Sequence, residues 1–223
     1  MGIVVLCIYS VILSMLAYVF FAFVNVDDEK IEITDIKSRL LENKKTILYI
    51  CLMLLCLVVM SFELSIVYNN SILKNSKLIT LVAILFVVAL TDFRKYIIPN
   101  TVILFGIAAR FVFYGIELFA KPQAFFEIIK GDLLASLIVI VFLIVGAFVV
   151  KNGLGMGDIK LIIVMCLFQG FYGVICSLFF SLIIAFFLSI GLLIMRKKTR
   201  KDAIPFAPSI LVGTLISVFL TGM

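Results

Sequence analysis

Residues 159–195 read IKLIIVMCLFQGFYGVICSLFFSLIIAFFLSIGLLIM, and Lys160 carries the only charge among them. No soluble helix can hide such a stretch, because it offers no polar face to water. A membrane helix can, and needs about 20 apolar residues to cross the hydrocarbon core. This run is nearly twice that length. It therefore divides into two spans near Gly170–Gly173. Working outward, further apolar runs cover Ile3–Val24, Thr46–Tyr68, Leu78–Thr91, Ile97–Ala120, Leu133–Val150 and Ile204–Met223. The expected fold is an all-α polytopic membrane bundle of about eight transmembrane helices, forming one integral-membrane domain over residues 1–223. Leu78–Thr91 is short for a span on length alone.

Composition agrees with that reading. Of 223 residues, 65% are hydrophobic and only 14% charged, against roughly 25% charged in soluble domains. Mean hydropathy is +1.31. Basic residues also settle the short segment. With the N-terminus outside and eight spans, 14 of the 19 Lys and Arg fall in inside loops and 4 in outside loops. Omitting Leu78–Thr91 inverts everything after it and leaves 7 inside against 11 outside. Positive loops stay on the cytoplasmic side, so all eight segments are expected to span the cytoplasmic (inner) membrane. The net charge of +6 is then accounted for by topology and anionic lipid, and no nucleic-acid partner is implied. The first segment lacks the basic start and short apolar core of a cleavable signal, and is expected to be a retained helix.

Two residue counts narrow the chemistry. The five cysteines lie in apolar runs without C-x-x-C spacing, so they read as small packing residues rather than zinc ligands or a disulfide framework. There is no histidine. That removes Ser-His-Asp and Cys-His catalysis and the H-E-x-x-H zinc site. If the chain is a hydrolase, carboxylates are its natural catalysts, with a Ser–Lys pair the remaining option.

Few acids lie in or at the ends of spans: Glu63, Asp92, Glu117, Asp132 and Asp158. Ionisable groups there default to functional hypotheses. Asp92 closes the third span in Thr91-Asp92-Phe93-Arg94-Lys95-Tyr96-Ile97-Ile98-Pro99-Asn100. Pro99 suits the first turn of the next helix. Asp158 closes Asn152-Gly153-Leu154-Gly155-Met156-Gly157-Asp158-Ile159-Lys160, whose alternating glycines permit unusual dihedrals or close approach. Taken singly, Asp92 could be an interfacial anchor and Asp158 a helix cap. Two spans separate them, and an even number of crossings returns the chain to the same face. Two carboxylates brought together there would share one proton. The ionised member would take a proton from water while the protonated member polarised a carbonyl.

These residues resemble the type IV prepilin peptidases among the GxGD aspartic proteases. The family shows an Asp separated by six residues from Pro-Asn, here Asp92 with Pro99 and Asn100. It shows Gly-x-Gly-Asp-x-Lys, here Gly155, Gly157, Asp158 and Lys160. It shows Ile-Pro-Phe-Gly-Pro before the last span, here Ile204, Pro205, Phe206, Ala207 and Pro208, with Ala in place of Gly. The resemblance implies a catalytic pair of Asp92 and Asp158, with Pro99, Asn100, Gly155, Gly157, Lys160, Pro205, Phe206 and Pro208 shaping the site. It implies a type IV prepilin or pseudopilin substrate with a short basic leader, a Gly before the cut and a hydrophobic helix after it. It further implies cleavage at the cytoplasmic membrane face, with no metal or cofactor. Longer members carry a Cys-x-x-Cys insert that accompanies N-methylation, which uses S-adenosylmethionine. Here residues 26–45 fill that position without cysteine, so methylation stays open. Ile31, Ile33, Ile36, Leu40 and Leu41 fall partly at helical spacing, as in a short amphipathic helix on the cytoplasmic face. Asp27, Asp28, Glu29 and Glu32 could attract a basic leader, or form a solvated loop.

Other readings remain. An archaeal-type preflagellin peptidase would share the dyad with fewer spans, and presenilin-like proteases share the glycine-rich Asp motif. A transporter could use Arg110, Glu117 and Glu63 as an ion path, although transporter sites usually sit at the midplane between inverted repeats and no repeat is visible. Arg110 and Glu117, two turns apart on one helix, are not expected to pair directly. The substrate's identity and the oligomeric state are not written in the sequence.

Overall fold

The structure is a computed structural model that describes residues 2–24, 44–149, 155–194 and 205–223. The stretch 26–43 with its acidic cluster, Gly153, Ile204 and the basic stretch 196–202 lie outside these residues. All regular structure among the described residues is helical: α1 Gly2–Val24, α2 Lys44–Ile66, α3 Ile72–Lys95, α4 Asn100–Ala120, α5 Pro122–Val149, α6 Met156–Ile194 and α7 Ala207–Thr221. Six are long and apolar enough to cross a membrane, and α7 is a shorter apolar helix.

The count of about eight follows once α6 is examined. Gly170 sits at φ 67° and ψ −174° inside it, a left-handed setting open to glycine without Cβ strain. The helix breaks there into Met156–Gln169 and Phe171–Ile194. Ser177 Oγ donates to Gln169 Oε1 at 3.1 Å, although eight residues of straight helix would separate them by about 12 Å. The two arms therefore bend back toward each other. The first arm reaches only about 21 Å at 1.5 Å per residue. It and α7 are thus shorter than full spans.

The short third apolar run becomes a full helix because its polar flank is helical too. Lys74, Asn75, Ser76 and Lys77 belong to α3, and buried Asn75 donates from Nδ2 to Ser65 Oγ at 3.1 Å. From Leu78 to Asp92 every residue of α3 is buried, as expected of a helix that is apolar all round.

The chain forms two compact units, Met1–Ala83 and Ile84–Met223, and the division falls within α3. In the first, α1 packs on α2 around Leu6, Met53, Leu57, Met60 and Leu64. Small hydroxyl residues let the backbones approach: Ser10 Oγ lies 3.2 Å from Ser61 Oγ. Tyr9 Oη meets Thr80 Oγ1 at 2.7 Å. Such interhelical polar contacts serve in a bilayer where hydrophobicity alone gives no drive to associate.

In the second unit α4, α5, α6 and α7 pack together. Gly106 of α4 faces Val164 of α6, whose Cγ1 would lie 3.0 Å from a Cβ added at position 106. Phe113 and Phe168 meet edge to face at 6.1 Å. A Cβ on Gly213 of α7 would collide with the Ser181 backbone, so only glycine permits this crossing.

Deep in the same unit, Arg110 is 1% exposed. Its Nη2 donates to Asp132 Oδ2 of α5, Tyr114 Oη donates to the same oxygen at 2.8 Å, and the guanidinium lies 3.9 Å above the Tyr114 ring. Nη1 also stands 3.2 Å from Glu117 Oε2. This corrects the expectation that Arg110 and Glu117 would not pair. Seven residues bring two side chains to nearly the same helix face, and Glu117 leans back toward the N-terminus, as helical side chains do. Arginine is long enough to cover the rest. Two of the three charges that might have marked an ion path, Arg110 and Glu117, are therefore engaged with each other, and Arg110 ties α4 to α5 through Asp132. Glu63 is half-buried on α2, in the first unit.

Candidate active site

Asp92 lies in the last turn of α3, which ends at Lys95. The Tyr96 N–H donates to the Asp92 carbonyl at 2.8 Å, and Tyr96 takes φ 55°, closing the helix in the left-handed form usual just past a C-cap. The chain then turns through Ile97 and Ile98 to Pro99, the extended N-cap of α4 at φ −66° and ψ 129°. Proline presets that φ and lacks an N–H to leave unsatisfied. Asn100 opens α4.

The carboxylate of Asp92 points into protein. It is 7% exposed, and its Oδ2 accepts the Ala207 backbone N–H at 3.0 Å; the Phe206 backbone also contributes a bond to it. Ala207 is the first residue of α7, with Pro208 next. The first N–H groups of a helix have no partner within it, and here one of them is satisfied by a side chain from α3, 115 residues away in sequence. Pro205 and Phe206, both half-buried, lead the chain into that position.

Asp158 lies in the first turn of α6 and is half-buried. Its carboxylate folds back over Gly155, whose backbone bonds it. A Cβ at Gly155 would stand 3.0 Å from Asp158 Oδ2. Gly157 is bare for a related reason: its Cβ would lie 3.1 Å from Ile98 Cβ. Neither glycine has positive φ. Of the two roles open to them, close approach is the one they fill.

The sequence-derived residues therefore converge. Asp92 reaches α7 through Ala207. Gly157 presses on Ile98, next to Pro99. Lys160 Nζ donates to Asn100 Oδ1 at 3.0 Å. The Asp158 carboxyl lies within electrostatic reach of Asp92. The two acids sit at the same end of the second unit, with α4 and α5 between them in the chain. Both also lie at helix N-termini, Asp92 at that of α7 and Asp158 at that of α6. The partial positive charge of a helix start favours carboxylate there and offsets some of the mutual repulsion. A water between such groups has both a base and an acid within reach.

Two contributors escape a motif reading. Ala207 stands where the resembling pattern has Gly, and the residue acts through its backbone N–H, which alanine supplies equally. The signal for it was Pro208, since proline in the first turn marks a helix start with free N–H groups just before it. Ile98 carries no signal of its own: its role appears only when Gly157 is placed against it.

Comparison with known proteins follows the same residues. A family model described as the type IV leader peptidase family matches residues 79–190, half of the chain. That span holds Asp92, Pro99, Asn100, Gly155, Gly157, Asp158 and Lys160, and ends before Pro205. The chain is 27% identical over 139 residues to the prepilin leader peptidase/N-methyltransferase of Bacillus subtilis, a match covering 62% of this chain and 53% of that protein. It thus spans about half the length of that relative. No solved structure matches the chain.

Proposed function

The chain belongs to the type IV leader peptidase family, and from that premise we propose that it is a membrane aspartic endopeptidase using Asp92 and Asp158. Its substrates are type IV prepilin or pseudopilin-like proteins, cut after a Gly that follows a short basic leader, at the cytoplasmic face of the cell membrane. The observation that carries this reading is the meeting of three sequence-distant motifs around two carboxylates.

The chemistry follows from the shared proton. The ionised carboxylate removes a proton from water as it attacks the scissile carbonyl. The protonated partner donates a hydrogen bond to the carbonyl oxygen, where negative charge develops. Water is the nucleophile, so no covalent enzyme intermediate forms; the tetrahedral adduct collapses with cleavage of the C–N bond, and the proton taken from water passes from its carboxyl to the leaving amine. Pairing is essential because like charges at this range cannot both be retained cheaply. The cytoplasmic orientation rests on the distribution of basic residues. The proposal covers leader cleavage alone.

The test is on the substrate side. Membranes holding the protein are incubated with a substrate carrying a basic leader, Gly and an apolar helix, and the product's mass is determined. A new N-terminus immediately after the Gly is expected, together with loss of cleavage when that Gly is replaced by Leu. Cleavage at unrelated positions, or none on several such substrates, would refute the reading.

Gly157 gives a second expectation. Gly157→Ala asks Ile98 to yield by a few tenths of an ångström, from a 3.1 Å contact. Gly157→Val asks for more. Misplacing reacting groups by an ångström can cost about 10²-fold in rate. The valine variant is therefore expected to lose at least about 10-fold in kcat and the alanine variant clearly less, as initial-rate kinetics would show. Equal rates for all three proteins would mean that this contact does not set the geometry.

A further inference from the structure

The reaction above gives no task to Lys160. Its ammonium does not serve Asp158 directly, because residues two apart on a helix do not face each other. Nor does it suit a basic leader, which it would repel. It donates instead to Asn100 Oδ1 at 3.0 Å, across 60 residues of sequence. Asn100 is the first residue of α4 and Lys160 lies in the opening turns of α6. One turn earlier on α6, Gly157 meets Ile98, just before Pro99. The start of α6 is thus joined to the start of α4 at two points, one apolar and one polar. Asp158 lies between these points in the chain. Asp92 is tied to the same turn from its other end, through the short link 93–99.

We propose that Lys160 and Asn100 form a clasp that fixes the separation of Asp158 from Asp92, and that both are positioning residues which touch neither substrate nor the reacting water. The proposal rests on the leader peptidase reading for its consequence in catalysis, but its geometry stands apart from it. Both side chains are exposed, and exposed polar pairs contribute little to global stability. The expected consequence of breaking this one is therefore looser geometry at the site rather than unfolding.

The test joins a distance to a rate. Nitroxide labels replace Phe93, which adjoins Asp92, and Met156, two residues before Asp158, both exposed, in a background with the native cysteines removed. Pulsed electron-spin measurements then compare the parent with Lys160→Met, Asn100→Leu, the double variant and Lys160→Arg. A narrow distance distribution is expected in the parent and in Lys160→Arg, and a broadened one in the other three.

Kinetics on the unlabelled proteins should show kcat reduced about 30-fold in either single variant, inside the ~10²-fold that an ångström of misplacement can cost. KM should change little, Lys160→Arg should retain most activity, and the double variant should lose no more than a single one. The exchanged pair Asn100→Lys with Lys160→Asn guards against a variant that fails to fold, and it should exceed Asn100→Lys alone in activity. An unbroadened distribution in Lys160→Met, losses that multiply in the double variant, or an effect confined to KM would each overturn the clasp. An inactive parent whose distances still respond as expected would count against the peptidase reading and for the clasp.

Discussion

Arg110→Leu is expected to destabilise the protein by about 3–5 kcal/mol, the cost of removing one partner from a buried ionic cluster. Arg110 is 1% exposed, and it is paired to Asp132 on α5 and to Glu117 on its own helix. Leucine would fill much of the volume and leave two carboxylates buried in the protein with no cation. The Tyr114 ring would also lose the guanidinium lying 3.9 Å above it. Replacing the whole cluster with apolar residues of similar volume is a different experiment. It is expected to restore much of the lost stability, because an intact buried ion pair often does no better than a well-packed apolar substitute. Thermal unfolding in detergent distinguishes the two. A single Arg110→Leu variant as stable as the parent would show that the cluster holds no charge in need of compensation.

The second large effect falls on the acids themselves. Asp92→Asn and Asp158→Asn are each expected to lower kcat by about 10⁴-fold, at the upper end of what a single general acid or base contributes. Asparagine preserves the shape and the hydrogen bond from Ala207, so the variants should remain folded. It cannot carry or share the proton. The two losses should not multiply in the double variant, since the pair acts as one unit. The rate of the parent should trace a bell against pH, because the active form holds one proton between two groups. It fails at low pH when both are protonated and at high pH when both are ionised. The two limbs belong to the pair and not to either residue.

How much of this was legible in the sequence varies by element. The membrane bundle was, because runs such as residues 159–195 leave no alternative, and the break at Gly170 coincides with the expected division. The extent of α3 was not, because hydropathy ends where Lys77, Ser76 and Asn75 begin, whereas the helix continues by satisfying Asn75 on Ser65. The residues of the candidate site were legible from motif and topology together: an even number of crossings places Asp92 and Asp158 at one end. Their supports were less so. That Ala207 serves through its backbone and that Ile98 sets the need for a bare Gly157 are facts of packing, which spacing does not encode. The Arg110–Glu117 pair was misread for want of side-chain direction. A spacing of two turns looks too long until the lean of helical side chains and the reach of arginine are included.

The most direct test of the central claim is leader removal by the parent, Asp92→Asn and Asp158→Asn, measured side by side in membranes at matched protein levels with one Gly-bearing prepilin-like substrate. The account predicts that the parent releases the leader and that neither variant does so above about 10⁻⁴ of its rate. Cleavage by either variant at the parent's rate would show that acid to be structural, and the two-carboxylate mechanism would fall with it.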